Sequence, residues 1–203
     1  MSYFPKDKKK IQERIKRYER ELRKQQERYG FIHDGAGKRY LLGPLYLVKG
    51  DIDGAIASFE WFEKTFPDDV GEPFQYLCWT LVLYLHGDIK DASDKLLQTM
   101  LKNLYLIPHL LGLGQEKLDI YHSSNFDEKE YIIDYAQPEI FQIWDKKALD
   151  WAIEMYNSEK FIKVRKRFIG IYKQLKTEPV GPKRSQLVEE SSALEHLNFD
   201  LLE

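Results

Sequence analysis

The sequence predicts an all-α protein in which helical hairpins stack in series, preceded by a long charged helix and followed by a divergent helical end. Three observations predict it. Residues 42–67, LGPLYLVKGDIDGAIASFEWFEKTFP, read as two short helices folded against each other. The plan returns 87 − 50 = 37 residues later, where Gly87-Asp88-Ile89 and Ala92 echo Gly50-Asp51-Ile52 and Ala55. Ahead of both, Ile11, Ile15, Tyr18, Leu22 and Tyr29 recur at intervals of four, three, four and seven, a narrow apolar seam of coiled-coil type.

In the first hairpin, Leu41, Leu42, Leu45, Tyr46 and Val48 give one apolar stripe, and the helix stops at Gly50, which suits a left-handed terminus. Asp51 or Asp53 is placed to cap the second helix. Ala55, Phe59 and Phe62 share its inner face, small Ala55 stands at the crossing, and Pro67-Asp68-Asp69 closes it. Pro44, inside the first helix, is expected to bend or shorten it.

Leu42, Gly43, Tyr46, Gly50, Ala55, Phe59 and Pro67 stand at the offsets of the tetratricopeptide repeat, which this stretch resembles. Arg39 replaces its usual Trp, and Phe62 a usual small residue. In the second unit Thr80, Leu83, Ala92 and Leu96 hold the corresponding places, and no proline closes the unit. The resemblance covers about a third of the chain, two repeats' worth. It implies a right-handed solenoid of helical hairpins that binds partners on the concave surface of its first helices. Here that surface draws on Lys38, Tyr40, Pro44 and Leu47, then Phe74, Leu77, Leu81 and Tyr84. Repeats that grip a terminal carboxylate place Lys and Asn there. With Tyr40, Pro44, Leu77 and Leu81 instead, so apolar a groove is expected to be filled, by another helix of this chain or by a partner's helix or extended segment.

The 203 residues divide into a charged N-terminal helix (1–30), a helical repeat domain (31–176) and a linker with an acidic tail (177–203). Hydrophobic residues make up 43%, enough for a core, and the net charge of −2 gives no whole-molecule attraction to nucleic acid or membrane. One cysteine, Cys78, permits no internal disulfide, and the start MSYFPKDKKK lacks a signal-peptide core, so a reducing cytoplasm is expected. The longest apolar run, LCWTLVLYL, is too short to span a bilayer and reads as a buried helix over 74–86. Its partner is expected over 90–103.

Between Lys6 and Arg28 stand eleven Lys or Arg and five Asp or Glu, giving 11 − 5 = +6. This helix, expected over 5–29, reads as a cap on the repeats, a homodimer seam or a nucleic-acid surface. The loop GFIHDGAGK is no phosphate loop, because Ile32 and Arg39 stand where that motif needs Gly and Ser or Thr. It reads as a hinge. Pro108 breaks a helix in NLYLIPHLLGLG, residues 115–126 read as loop, and a further pair is expected over 127–143 and 145–158, with Pro138 kinking or dividing the first. Residues 159–176 put Phe161, Val164, Phe168, Ile171 and Leu175 on one face and seven Lys or Arg on the other. A solenoid's last helix needs such a polar outer face, although membrane, calmodulin-like partners or RNA could also meet it. TEPVGPKRS is a linker. Leu187, Leu194, Leu197 and Leu201 then mark a short acidic helix able to pack on one of the basic helices.

Nothing in the sequence carries catalysis. No two of His33, His86, His109, His122 and His196 have metal-ligand spacing, and Ser123 and Ser124 lack a nucleophile elbow. No catalytic, cofactor or metal site is expected. The reading is a non-enzymatic protein-binding module, an adaptor, chaperone or neutralising partner, contacting its target through Lys38, Tyr40, Leu47, Phe74, Leu77, Leu81 and Tyr84. The alternatives are a nucleic-acid binder using the basic faces of 6–28 and 160–176, and a homo-oligomer joined by the N-terminal seam.

Overall fold

The computed structural model describes residues 4–197, and among them every regular element is helical. The order is α1 (Lys8–Tyr29), α2 (Lys38–Lys49), α3 (Ile52–Thr65), α4 (Pro73–His86), α5 (Ile89–Lys102) and α6 (Leu106–Leu110). After a 3-10 turn at Asn125–Asp127 come α7 (Lys129–Tyr135), α8 (Pro138–Gln142), α9 (Lys146–Asn157), α10 (Glu159–Leu175) and α11 (Pro182–Glu195).

The two hairpins share one local chemistry. Gly50 and Gly87 take φ of 87° and 99°, conformations a side chain would strain, and turn the chain out of α2 and α4. The next N–H, of Asp51 or Asp88, returns to the carbonyl of Tyr46 or Leu83 at 3.0 Å. Asp51 then caps α3 by accepting from the Gly54 N–H at 3.0 Å. Asp88 makes no such bond and instead meets His86 Nδ1 at 2.7 Å. Pro73 opens α4 behind a capping box in which Glu72 and Gln75 serve each other's backbone N–H. Pro44 does not shorten α2, which continues five residues beyond it to Lys49.

Besides its own partner α5, α4 packs on both α2 and α3, so the second hairpin seats across the first. Phe59 stacks on Trp79 with centroids 5.0 Å apart and planes 4° from parallel. Gly43 is needed beneath that ring, since a Cβ there would lie 2.3 Å from Phe59 Cε1. Ala55 and Ala92 are fully buried at the crossings.

α1 begins at Lys8 behind an Asp7 cap, three residues later than the expected start at Pro5, where proline suits a first helical position. Its seam faces inward: Ile11, Ile15 and Leu22 are buried and α1 packs on α2. Of the seam's other two residues Tyr18 is half-buried and Tyr29 is 54% exposed, so the part consumed inside the chain is Ile11, Ile15 and Leu22.

At the other end, buried Asn103 donates through Nδ2 to the carbonyls of Phe126 and Glu128 and pins the segment before α7. Pro138 does divide the expected helix, separating α7 from α8. α10 packs on α5 and α9, and α11 lies on α10 and α5, with Leu187 buried beside Ile171 and Leu175. Arg167 pairs with Glu190, and Lys102 with Glu195 at 2.5 Å, so the acidic tail docks on a basic helix. Leu201 lies outside the described residues.

Candidate interaction surface

The residues expected to line a concave groove sit in the protein's own core or on its own partners. Leu77 and Leu81 are 0% exposed, and Leu47, Phe74 and Pro44 are buried. The cover comes from α7, α8 and α9. Tyr131 and Phe141 close on Phe74 with centroids 5.9 and 6.1 Å away, and Trp151 stacks on Tyr84 at 4.8 Å. The Tyr131 hydroxyl also donates to Glu72 at 2.8 Å, and burial raises that carboxyl above its usual range. α8 reaches α2 as well. So apolar a face demanded a cover, and the chain supplies it.

Lys38 and Tyr40 are partly exposed but engaged. Lys38 Nζ pairs with Glu21 at 3.0 Å. The Tyr40 hydroxyl donates to Asp69 at 2.8 Å and accepts from Arg39 Nη2 at 2.7 Å. Arg39 Nε reaches Asp69 at 2.7 Å, and Nη1 the Asp34 carbonyl at 2.8 Å. This network ties the entry loop of α2 to the exit of α3. It is the structural use of the arginine that stands where the repeat pattern has Trp.

The open apolar surface lies elsewhere. Because α1 rests on α2, a trough of about 960 Å³ runs between α1 and α3. Leu22 forms its α1 wall, Leu42 and Tyr46 its floor, Gly54, Ala57 and Trp61 its α3 wall, and Phe31 and Ile32 its end. Leu22 and Leu42 are sealed underneath, whereas Ala57 is exposed, Trp61 half-exposed and Phe31 60% exposed. An open apolar concavity flanked by charged helices is the usual mark of a docking site. Trp61, Ala57 and Phe31 were not among the sequence candidates. The available signal was phase: Ala57 and Trp61 fall off the face of α3 that carries Ala55, Phe59 and Phe62.

A second cleft, about 650 Å³, opens between α3, α4, α5 and α11. Lys95 enters it with only 11% of its side chain exposed, its ammonium 3.6 Å from the Trp79 ring centroid and 4.0 Å from Glu63. Glu63, Asp68, Asp69 and Glu195 also line this cleft, and Lys102 is engaged by Glu195. Its charges are thus largely answered within the chain.

Burial pushes the Lys95 ammonium down to about 8, against the opposing pull of Glu63. An unfolded lysine titrates near about 10.4, so between pH 8 and 10 the unfolded chain binds more protons and stability rises with pH. Above about pH 10 the sign reverses, because burial raises Tyr40, Tyr46 and Tyr131 and the unfolded chain loses their protons first. We expect urea midpoints to rise by an equivalent of about 1–2 kcal/mol from pH 8 to 10, and Lys95→Met to flatten the rise. An unchanged slope in Lys95→Met would assign the titration to another group.

Among the described residues, no group of three or more His, Cys, Asp or Glu is arranged to hold a metal ion, and no helix is long and apolar enough to cross a membrane. Cys78 is fully buried, and burial raises its thiol well above the ordinary value. The chain matches no protein-family model, no curated protein and no solved structure.

Proposed function

We propose that this chain is a non-enzymatic, cytoplasmic helical-repeat module of tetratricopeptide type, and that it binds another protein through the trough between α1 and α3. The observation that carries the reading is the division of its apolar surface. The first-helix face is covered by α7–α9, whereas the trough beside Trp61 and Phe31 stands open. The stacked hairpins act as a rigid body that fixes the trough's two banks.

The test is Ala57→Arg, which places a long charged side chain in the trough from an exposed position and leaves the core untouched. Wild-type protein is expected to retain one stoichiometric protein from its native lysate after nuclease treatment. Ala57→Arg should lose it by tenfold or more, with an unchanged thermal midpoint. Equal retention by both chains removes the trough from the reading.

A nucleic-acid reading draws on the exposed cations of α1. It is weaker on α10, where Glu190 meets Arg167 and Asp119 meets Lys176.

A further inference from the structure

The charges around the trough are sorted by helix. On α1 most acids are already engaged: Glu19 accepts the Tyr46 hydroxyl at 2.5 Å, Glu21 pairs with Lys38 and Glu27 with Arg23 at 3.7 Å, while Asp7 caps the helix. Lys16 and Arg20 are exposed at i and i+4, in a row that ends at Arg23, which Glu27 already answers, and that borders the trough-facing row of Glu19, Leu22 and Gln26. The opposite bank has another character. Along α3 the bordering row is Asp53, Ala57, Glu60 and Lys64, all exposed. On the α1 bank Lys16 and Arg20 outweigh the charge that Glu19 keeps, whereas the α3 bank carries two acids and one base.

From this asymmetry, and resting on the partner-binding reading above, we infer that the trough takes an amphipathic helix of a partner protein whose acidic edge faces α1. Its apolar keel lies over Ala57, Trp61 and Phe31. Its other edge, against Asp53 and Glu60, is neutral or basic. α3 has 14 residues, about 21 Å at 1.5 Å per residue, so the occupant is a helix of about four turns. A nucleic-acid strand fits less well, because its charge runs along its whole length and would meet Asp53 and Glu60 as readily as Arg20. A lipid surface fits less well because the apolar face of α1 is buried on α2 and has nothing to insert. A second copy cannot pack on Ile11, Ile15 and Leu22 of α1, which are already buried within this chain.

The test selects binders to the full chain from a phage-displayed library of random 16-residue peptides, with Ala57→Arg protein as the counter-screen. The expected binders carry apolar residues at i, i+3 or i+4, and i+7, with an excess of Asp and Glu along one edge. Made synthetically, they should bind tenfold or more weakly to Lys16→Glu/Arg20→Glu, and more weakly as salt rises. Among the described residues neither substituted side chain closes an ion pair, and circular dichroism checks that the variant is folded. Trough-dependent binders that are neutral or basic, or that ignore the charge reversal, overturn the acidic-edge inference and leave the partner-binding reading standing. No binder displaced by Ala57→Arg overturns both. So does a fluorescent dT20 strand that binds tighter than any peptide and is displaced by Ala57→Arg, or a concentration-dependent dimer that Ala57→Arg abolishes; the first points to nucleic acid, the second to another copy of this chain.

Discussion

Gly43→Ala is expected to lower stability by about 2–3 kcal/mol, although alanine is the better helix former by about 1 kcal/mol. The added methyl would stand 2.3 Å from Cε1 and 2.4 Å from Cζ of Phe59. A ring edge in solvent would swing away. Phe59 is 1% exposed and lies flat on Trp79, which is itself buried, so its displacement opens the contact between the two hairpins. The cost falls on the interface between hairpins and reaches beyond α2. Urea unfolding should show a lower midpoint with an unchanged slope. Adding Phe59→Leu should recover part of the loss, because the branched chain is smaller than the ring, and the double mutant should cost less than the two singles summed. A Gly43→Ala protein more stable than wild type would mean that propensity decides and that the helices do not approach there.

The parts of the fold that sequence reasoning reached share this character: they are written in residues with one geometric use. Gly50 and Gly87 mark left-handed helix ends, Asp51 supplies a cap, Ala55 and Ala92 mark crossings, and Pro138 divides a helix. The cover over the first-helix face left no comparable mark. α7 and α8 have seven and five residues, too few for a periodic pattern. Ile133 and Tyr135 of α7 are exposed at 63% and 55%, so apolar letters there do not report burial. Tyr131 and Phe141 reach Phe74 from more than fifty residues away, a pairing that local pattern does not encode.

The trough was hidden for a related reason. The seam Ile11, Ile15, Leu22 says that α1 packs on something, and it leaves open which neighbour receives it. Had α1 settled between α2 and α3, Trp61 and Ala57 would be core. It packs on α2, and the flank of α3 stays open. The charge sorting on α1 was likewise beyond a net count of +6, since it depends on Tyr46 and Lys38 drawing Glu19 and Glu21 toward the body.

Leu81→Ala separates a covered first-helix face from an open one. Leu81 is 0% exposed at a point where α4 sits among α2, α3 and α5, with α7 to α9 closing the face beyond it. Truncating a leucine there removes its transfer free energy and leaves a cavity that neighbours on several sides hold open, a loss of about 3 kcal/mol. In a chain of this length that lowers the thermal midpoint by about 6–12 °C. Binding to a partner in the trough should be unchanged at temperatures where the variant is folded, since Leu81 touches neither bank. An open groove would give the reverse, a stability change within about 0.5 kcal/mol and a large loss of binding. The pair of readouts matters because each taken singly is ambiguous: a destabilised variant can lose binding merely by unfolding. Measured together, with Ala57→Arg as the converse case of lost binding at full stability, they assign the apolar face of α4 to the core and the trough to the partner, or they exchange those roles.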